Sequence, residues 1–181
     1  MKAIGIVGSP RNDGNTVHLL KRTLQVLEQG SIETEMVFLK DLNIRPCEGC
    51  KSCEERKECK IEDDMKGLLR KLKESDVIIL TSPCFMGGAT SRTRAFMERT
   101  WLFRKGQLKD KIGTSIVVGR RDIGITVSEM DAFFDRIQMV KVPGIIGFGL
   151  NKDDVLDDKE AIKKSEKLGN RIVHVLGTMK G

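Results

Sequence analysis

The sequence predicts an α/β fold in which a parallel sheet is covered by helices on both faces. Three observations carry this. Short apolar runs that read as buried strands recur along the chain, at residues 3–7, 77–80 and 114–118. Stretches with apolar residues at helical spacing alternate with them along the whole length. Turns rich in Gly, Pro and Ser separate the two.

Taken in order, residues 3–7 form the first strand and end in Gly8-Ser9-Pro10. Val17, Leu20, Leu24 and Leu27 then mark one face of a helix that Gly30 closes. A second strand falls at 34–39, and a cysteine-rich loop follows over 41–59. Met65, Leu68, Leu69 and Leu72 make the apolar side of the next helix, with Asp63 and Asp64 near its positive end. After the strand at 77–80 a third helix runs through Trp101, and after 114–118 a fourth includes 132–139. Residues 142–148 read as a fifth strand despite their Pro and Gly, and Ile162, Leu168, Ile172 and Val175 mark a last helix. There is no repeat, linker or low-complexity segment, so residues 1–181 are expected to form a single domain with a cysteine-rich loop at 45–60. Such a length buries a sufficient core without staples.

Composition narrows the function classes. Apolar residues make up 39% of the 181 residues and charged residues 32%, as in a soluble globular protein. The apolar runs are too short to cross a bilayer, and residues 1–8 lack the length of a signal peptide. The expected location is cytoplasmic, with no membrane partner. The net charge of +6 is local: residues 85–125 carry nine basic and three acidic side chains, and the rest of the chain balances. With no Tyr and one Trp the stretch lacks the aromatics of a nucleic-acid surface, so no nucleic-acid partner is expected. It reads either as a solvated cationic face or as an attractor for an anionic cofactor or an acidic redox partner.

In sheets of this kind ligands bind beyond the carboxyl ends of the strands, which directs attention to the loops after strands one to four. The first, Gly8-Ser9-Pro10-Arg11-Asn12-Asp13-Gly14-Asn15-Thr16, runs from a buried strand into a helix N-terminus, where unpaired N–H groups and the helix dipole favour a phosphate. Ser9, Asn15 and Thr16 offer hydrogen bonds and Arg11 offers charge; the alternative is an ordinary turn capped by Thr16. It is neither a Walker loop nor a dinucleotide fingerprint. The third loop, Ser82-Pro83-Cys84-Phe85-Met86-Gly87-Gly88, combines a stiff strand exit, a Gly pair that admits close approach to the backbone, and an apolar, polarizable surface from Phe85 and Met86. Such a surface suits a flat ring, or else is a tight turn with buried apolar residues. Cys84 reads as a small buried residue beside it. The fourth loop, Gly119-Arg120-Arg121, places Arg120 either to neutralise charge at a ring or simply on the surface.

The most specific pattern is Cys47-x2-Cys50-x2-Cys53-x5-Cys59. Three thiolates at two-residue gaps wrap one face of a compact inorganic core and a fourth closes it, as in the bacterial ferredoxin run. Zinc sites pair two knuckles across a longer stretch. The spacing favours an iron–sulfur cluster over zinc or an empty or disulfide-bonded loop. His18 and His174 make no ligand-like pattern and read as helix-surface residues. No Ser/His/Asp or paired-carboxylate arrangement is present, and no side chain is expected to act as a catalytic acid or base.

Gly-Ser-Pro-Arg-x-x-Gly-Asn-Thr at 8–16 resembles the phosphate loop of the flavodoxin-like NAD(P)H-dependent FMN reductases. Ser9, Arg11, Gly14, Asn15 and Thr16 occupy its positions. Pro83, Cys84, Phe85, Met86 and Gly87 resemble the family's second flavin loop, with Phe85 where Tyr is common. Gly119 and Arg120 resemble the third, whose usual paired glycines are replaced by Ile123-Gly124. Together with the cysteine loop, preceded by Pro46 and followed by Asp63-Asp64, the chain is similar over nearly its whole length to the iron–sulfur flavoproteins of anaerobic archaea and bacteria. The resemblance implies a flavodoxin-like three-layer sandwich with a five-stranded parallel sheet ordered 2-1-3-4-5. It also implies FMN, a 4Fe-4S cluster on Cys47, Cys50, Cys53 and Cys59, and a homodimer or homotetramer. The expected activity is that of an FMN-dependent oxidoreductase passing electrons from a one-electron donor such as ferredoxin, through cluster and FMN, to a small-molecule acceptor. An NAD(P)H-dependent FMN or quinone reductase with a cluster-free cysteine loop, and a non-enzymatic carrier or redox sensor, are the alternatives.

Overall fold

The computed structural model describes residues 1–180; the expected domain end at Gly181 lies outside the described residues. Strand β1 (Lys2–Val7) is hydrogen-bonded in parallel to β2 (Glu33–Phe38) on one side and β3 (Val77–Pro83) on the other. Strand β4 (Ile112–Gly119) pairs in parallel with β3 and, on its far side, with two short segments, β5 (Val140–Lys141) and β6 (Ile145–Phe148). The order 2-1-3-4-5 therefore holds, but the fifth position is filled by two pieces. The break has a local cause. Pro143 has no N–H to give the ladder, and Gly144 lies so close to β4 that a Cβ there would stand 2.3 Å from the Ser115 carbonyl oxygen.

Helices α1 (Asn15–Gln29) and α6 (Lys159–Lys180) cover one face of the sheet. Helices α3 (Met65–Glu74), α4 (Ser91–Arg99) and α5 (Thr126–Arg136) cover the other. Alternation along β1 and β3 divides the core. Ala3, Val7, Val77 and Ile79 face α1 and α6, whereas Ile4, Ile6, Ile78 and Leu80 face Leu68, Phe96 and Phe134. This is the three-layer sandwich expected. Gly5 lets α1 settle close to β1, since a Cβ there would meet Leu20 Cδ2 at 2.8 Å.

Several boundaries differ from the expectation. The helix placed over 132–139 begins at Thr126 and ends at Arg136, because Gln138 turns left-handed at φ 60°. In α6 it is Leu176, not Val175, that is fully buried. The cysteine segment carries a short helix, α2 (Ser52–Arg56), with left-handed Lys51 and Lys57 at its two ends. None of the described helices is long and apolar enough to cross a membrane.

A strand-end cleft and a cysteine segment

The carboxyl ends of β1, β3, β4 and β6 open on one cleft of about 180 Å³. Its lining brings together Ser9, Arg11, Gly14, Asn15, Thr16, Pro83, Cys84, Phe85, Gly119 and Arg120, as the sequence led us to expect. Of the residues expected there, Met86 and Gly87 do not line it. They sit at the tip of a tight hairpin closed by paired bonds between Phe85 and Gly88 (2.8 and 3.1 Å), and Met86 projects wholly into solvent. Cys84 is half-buried rather than buried.

At one end of the cleft the loop after β1 enters α1. Gly14, not Thr16, is the N-cap. A Cβ on Gly14 would stand 3.0 Å from Ser9 Oγ, which itself accepts the Arg11 N–H at 3.1 Å. Thr16 lies inside the helix, buried, with an Oγ1 that meets no partner. The first turn of α1 has no acidic residue, so its outward N–H groups and dipole act unopposed on an anion. Arg11 adds a full charge. Asp13, by contrast, is bound by Lys152, whose ammonium holds its carboxyl below the usual range.

Asn15 is used differently from the expectation. Its amide donates to the Asn151 carbonyl at 2.8 Å, and its Oδ1 accepts the Val155 N–H at 3.4 Å. It ties α1 to the loop after β6. That loop supplies Gly149 and Leu150, a fourth wall missed by the sequence reading, which stopped at strand four. Gly149 and Leu150 lie just beyond β6, where the strand-end rule also applies. The same loop engages His18, whose Nε2 stands 2.7 Å from Asp153 Oδ1; His18 is thus a half-buried tie rather than a plain surface residue.

The ring end of the cleft is shaped by two stitched loops. Cys84 N–H donates to the Val118 carbonyl at 2.8 Å, and Ile125 N–H donates to the Gly87 carbonyl at 2.8 Å. Gly124, at φ 49°, permits that approach, because a Cβ would lie 2.1 Å from the Gly87 oxygen. An orphaned buried hydroxyl, an unopposed helix N-terminus and Arg11 at one end, with Pro83, Cys84 and Phe85 at the other, fit a phosphorylated, flat-ringed group such as FMN.

The cysteine segment lies on the α3–α4 face, held by Glu98 and Arg99 of α4. Cys47 and Cys50 are exposed, Cys53 and Cys59 half-buried, and all are free thiols. Among the described residues no three potential ligands converge closely enough to hold a metal ion, so the segment does not assemble the predicted site as it stands. Its donor set nevertheless fits a cluster: four unpaired thiols on one segment, with Lys60 paired to Glu48 (3.1 Å) and Arg104 to Glu54 (3.1 Å) around them. A hydrogen bond from Ser52 lowers the pKa of Cys50, whereas burial raises that of Cys53.

The base of this segment is closed by a feature the sequence did not reveal. Asp63, expected only to complement the α3 dipole, has its side chain fully shielded from solvent and paired with buried Arg99 (Nη1–Oδ2 2.6 Å, Nη2–Oδ1 3.0 Å). Asp63 also accepts the N–H groups of Arg45 and Met65 (3.0 and 3.1 Å), and Asp64 accepts that of Asn43 at 2.7 Å. Burial works against the ionised Asp63 carboxyl, but the Arg99 guanidinium and the two N–H donors outweigh it and lower its pKa.

These features have counterparts in known proteins. The NADPH-dependent FMN reductase family matches residues 1–151. An iron–sulfur flavoprotein of Methanocaldococcus jannaschii is 35% identical over 99% of this chain and 100% of its own length. One from Archaeoglobus fulgidus is 36% identical over 95% of this chain and 79% of its own. Among solved structures, RosB with bound 8-demethyl-8-formylriboflavin-5'-phosphate superposes with a TM-score of 0.78 at 17% identity, covering 99% of this chain and 80% of that one. An archaeal flavodoxin superposes at 0.66 with 16% identity over the full length of both chains. The fold is thus flavodoxin-like, and the chain is an FMN-dependent oxidoreductase that belongs to the NADPH-dependent FMN reductase family, on the branch of the iron–sulfur flavoproteins.

Proposed function

We propose that this oxidoreductase moves electrons from a one-electron donor such as ferredoxin, by way of a 4Fe-4S cluster and FMN, to a small-molecule acceptor. The observation that carries the reading is the pairing of four free cysteines on one segment with a phosphate-and-ring cleft on the same sheet. Cys47, Cys50, Cys53 and Cys59 would hold the cluster. Thr16 Oγ1, Arg11 and the α1 N-terminus would hold the FMN phosphate, with Pro83, Cys84, Phe85, Gly119 and Arg120 along the ring. Bound FMN exchanges electrons singly or in pairs, which lets one chain serve both kinds of partner. The protein's part is to bind, orient and tune.

The cleft is smaller than the roughly 300 Å³ of a pocket that encloses a whole ligand. Phe85, Met86 and Ile125 stand exposed at its mouth. Both facts support a homodimer or homotetramer in which a second copy covers these side chains. Free thiols support a reducing, cytoplasmic setting. A second reading, an NAD(P)H-dependent FMN or quinone reductase with a cluster-free loop, is favoured by the unconverged thiols.

Anaerobic purification with iron, sulfide and flavin analysis separates the two. The proposal expects about four irons, four sulfides and one FMN per chain. FMN without iron and sulfide, with NADPH alone sustaining turnover, selects the second reading; zinc without sulfide ends the first.

A further inference from the structure

The last two residues of α4 hold both ends of the cysteine segment. Glu98 Oε2 accepts the Cys47 N–H at 3.2 Å. Arg99 Nη1 donates to the Arg45 carbonyl at 2.8 Å and, with Nη2, grips Asp63 beyond Cys59. Arg99 is 2% exposed, and its Nε is buried without a partner. An unpaired buried guanidinium N–H is costly, so a partner for it is expected. Arg99 and Cys59 share the wall of one cleft, whose floor is Ile61, Leu69 and Phe103. A buried ion pair adds little net stability. The consequence of this one lies in what it orients.

We propose that Arg99 is the positioning residue of the cysteine segment, donating its Nε–H to the Cys59 sulfur and holding that sulfur in place for the cluster. The inference rests on the cluster reading above. Two physical effects follow. A hydrogen bond to a ligating sulfur withdraws electron density from it. The guanidinium charge, offset in part by the paired Asp63 carboxylate, also favours the more negative, reduced cluster. Both raise the reduction potential. The forked guanidinium is the only side chain able to serve the Arg45 carbonyl, the Asp63 carboxylate and a sulfur at once.

The test uses anaerobically prepared holoprotein. Arg99→Met with Asp63→Asn removes both charges together, while Asn keeps one acceptor oxygen, enough for one of the Arg45 and Met65 N–H groups. The cluster midpoint potential is expected to fall by at least the equivalent of a tenfold change in the reduction equilibrium, 59 mV for one electron. Iron release to a chelator should quicken about tenfold, with FMN content unchanged. Arg99→Lys, which keeps charge but not the fork, should fall between. In the wild type, pulsed EPR on the reduced cluster with 15N-arginine labelling should detect a guanidinium nitrogen, a readout that needs no variant. An intact cluster with unchanged potential and iron release in the double variant, or without an arginine nitrogen coupling in the wild type, overturns the role of Arg99 alone. A preparation with FMN but neither iron nor sulfide overturns the cluster reading, and this inference with it.

Discussion

Thr16 is the residue where chemistry and stability pull apart. Its hydroxyl is buried in the first turn of α1 with no protein partner, an arrangement that costs free energy unless a ligand answers it. Thr16→Val replaces that hydroxyl with a methyl of similar size. Thermal melting of the apoprotein should therefore show equal or higher stability. FMN affinity should fall about tenfold or more, the worth of a hydrogen bond to a charged group (about 1.5–3 kcal/mol). Fluorescence titration of FMN checks the second; loss of apoprotein stability would show that the hydroxyl serves the fold. Asp63 makes a comparable case with pH. Its folded-state pKa lies below the ordinary 3.8, so its stabilising effect is present above that value and lost as pH falls through the folded pKa. Amide exchange at Arg45 and Met65, whose N–H groups it accepts, should stay protected through the ordinary carboxylate value of 3.8 and open only as pH falls through the lower folded-state pKa. Neither role was legible beforehand. Thr16 and Asp63 each sit where a helix cap or dipole partner is common, and only the tertiary neighbours distinguish an orphaned hydroxyl from a cap, or a buried ion pair from a surface charge.

At the scale of elements, α6 shows how context sets the sign of one substitution. Gly169 is pressed against α1: a Cβ there would stand 2.7 Å from Val26 Cβ and 3.0 Å from the Thr23 carbonyl. Gly177 in the same helix has nothing within 4 Å. Ala is the better helix former by about 1 kcal/mol. Gly177→Ala should therefore stabilise by about 0.5–1 kcal/mol, and Gly169→Ala should destabilise because two helix backbones must part. Equilibrium urea unfolding of the two variants measures both; stabilisation by Gly169→Ala would mean that α1 and α6 yield more easily than their packing implies. Most strands and the longer helices were legible from apolar runs and spacing, because a sheet buried on both faces writes its strands as short apolar runs; the short α2 and β5 were not. The breaks were not. The split at Pro143-Gly144 depends on the carbonyl of Ser115 on a neighbouring strand. The end of α5 depends on Gln138 turning left-handed.

For the molecule as a whole, one cleft joins the ends of four strands, so a ligand there should act on global stability. The cleft was largely legible, since the strand-end rule and three loop motifs named most of its wall. The loop after β6 was missed because its tie to α1 runs through the side chain of Asn15, a long-range contact with no local pattern. That tie makes the phosphate end part of the cooperative core rather than a loose flap. FMN at about a hundred times its Kd should stabilise the protein by about 2.7 kcal/mol. For a chain of this length that is a rise in Tm of roughly 5–11 °C. Riboflavin has the ring without the phosphate, and at the same concentration it should give a clearly smaller shift. Asn15→Ala should reduce the FMN shift and leave that of riboflavin nearly unchanged, because it loosens only the phosphate end. Equal shifts from FMN and riboflavin in differential scanning calorimetry would show that the helix N-terminus, Arg11 and Thr16 do not grip a phosphate.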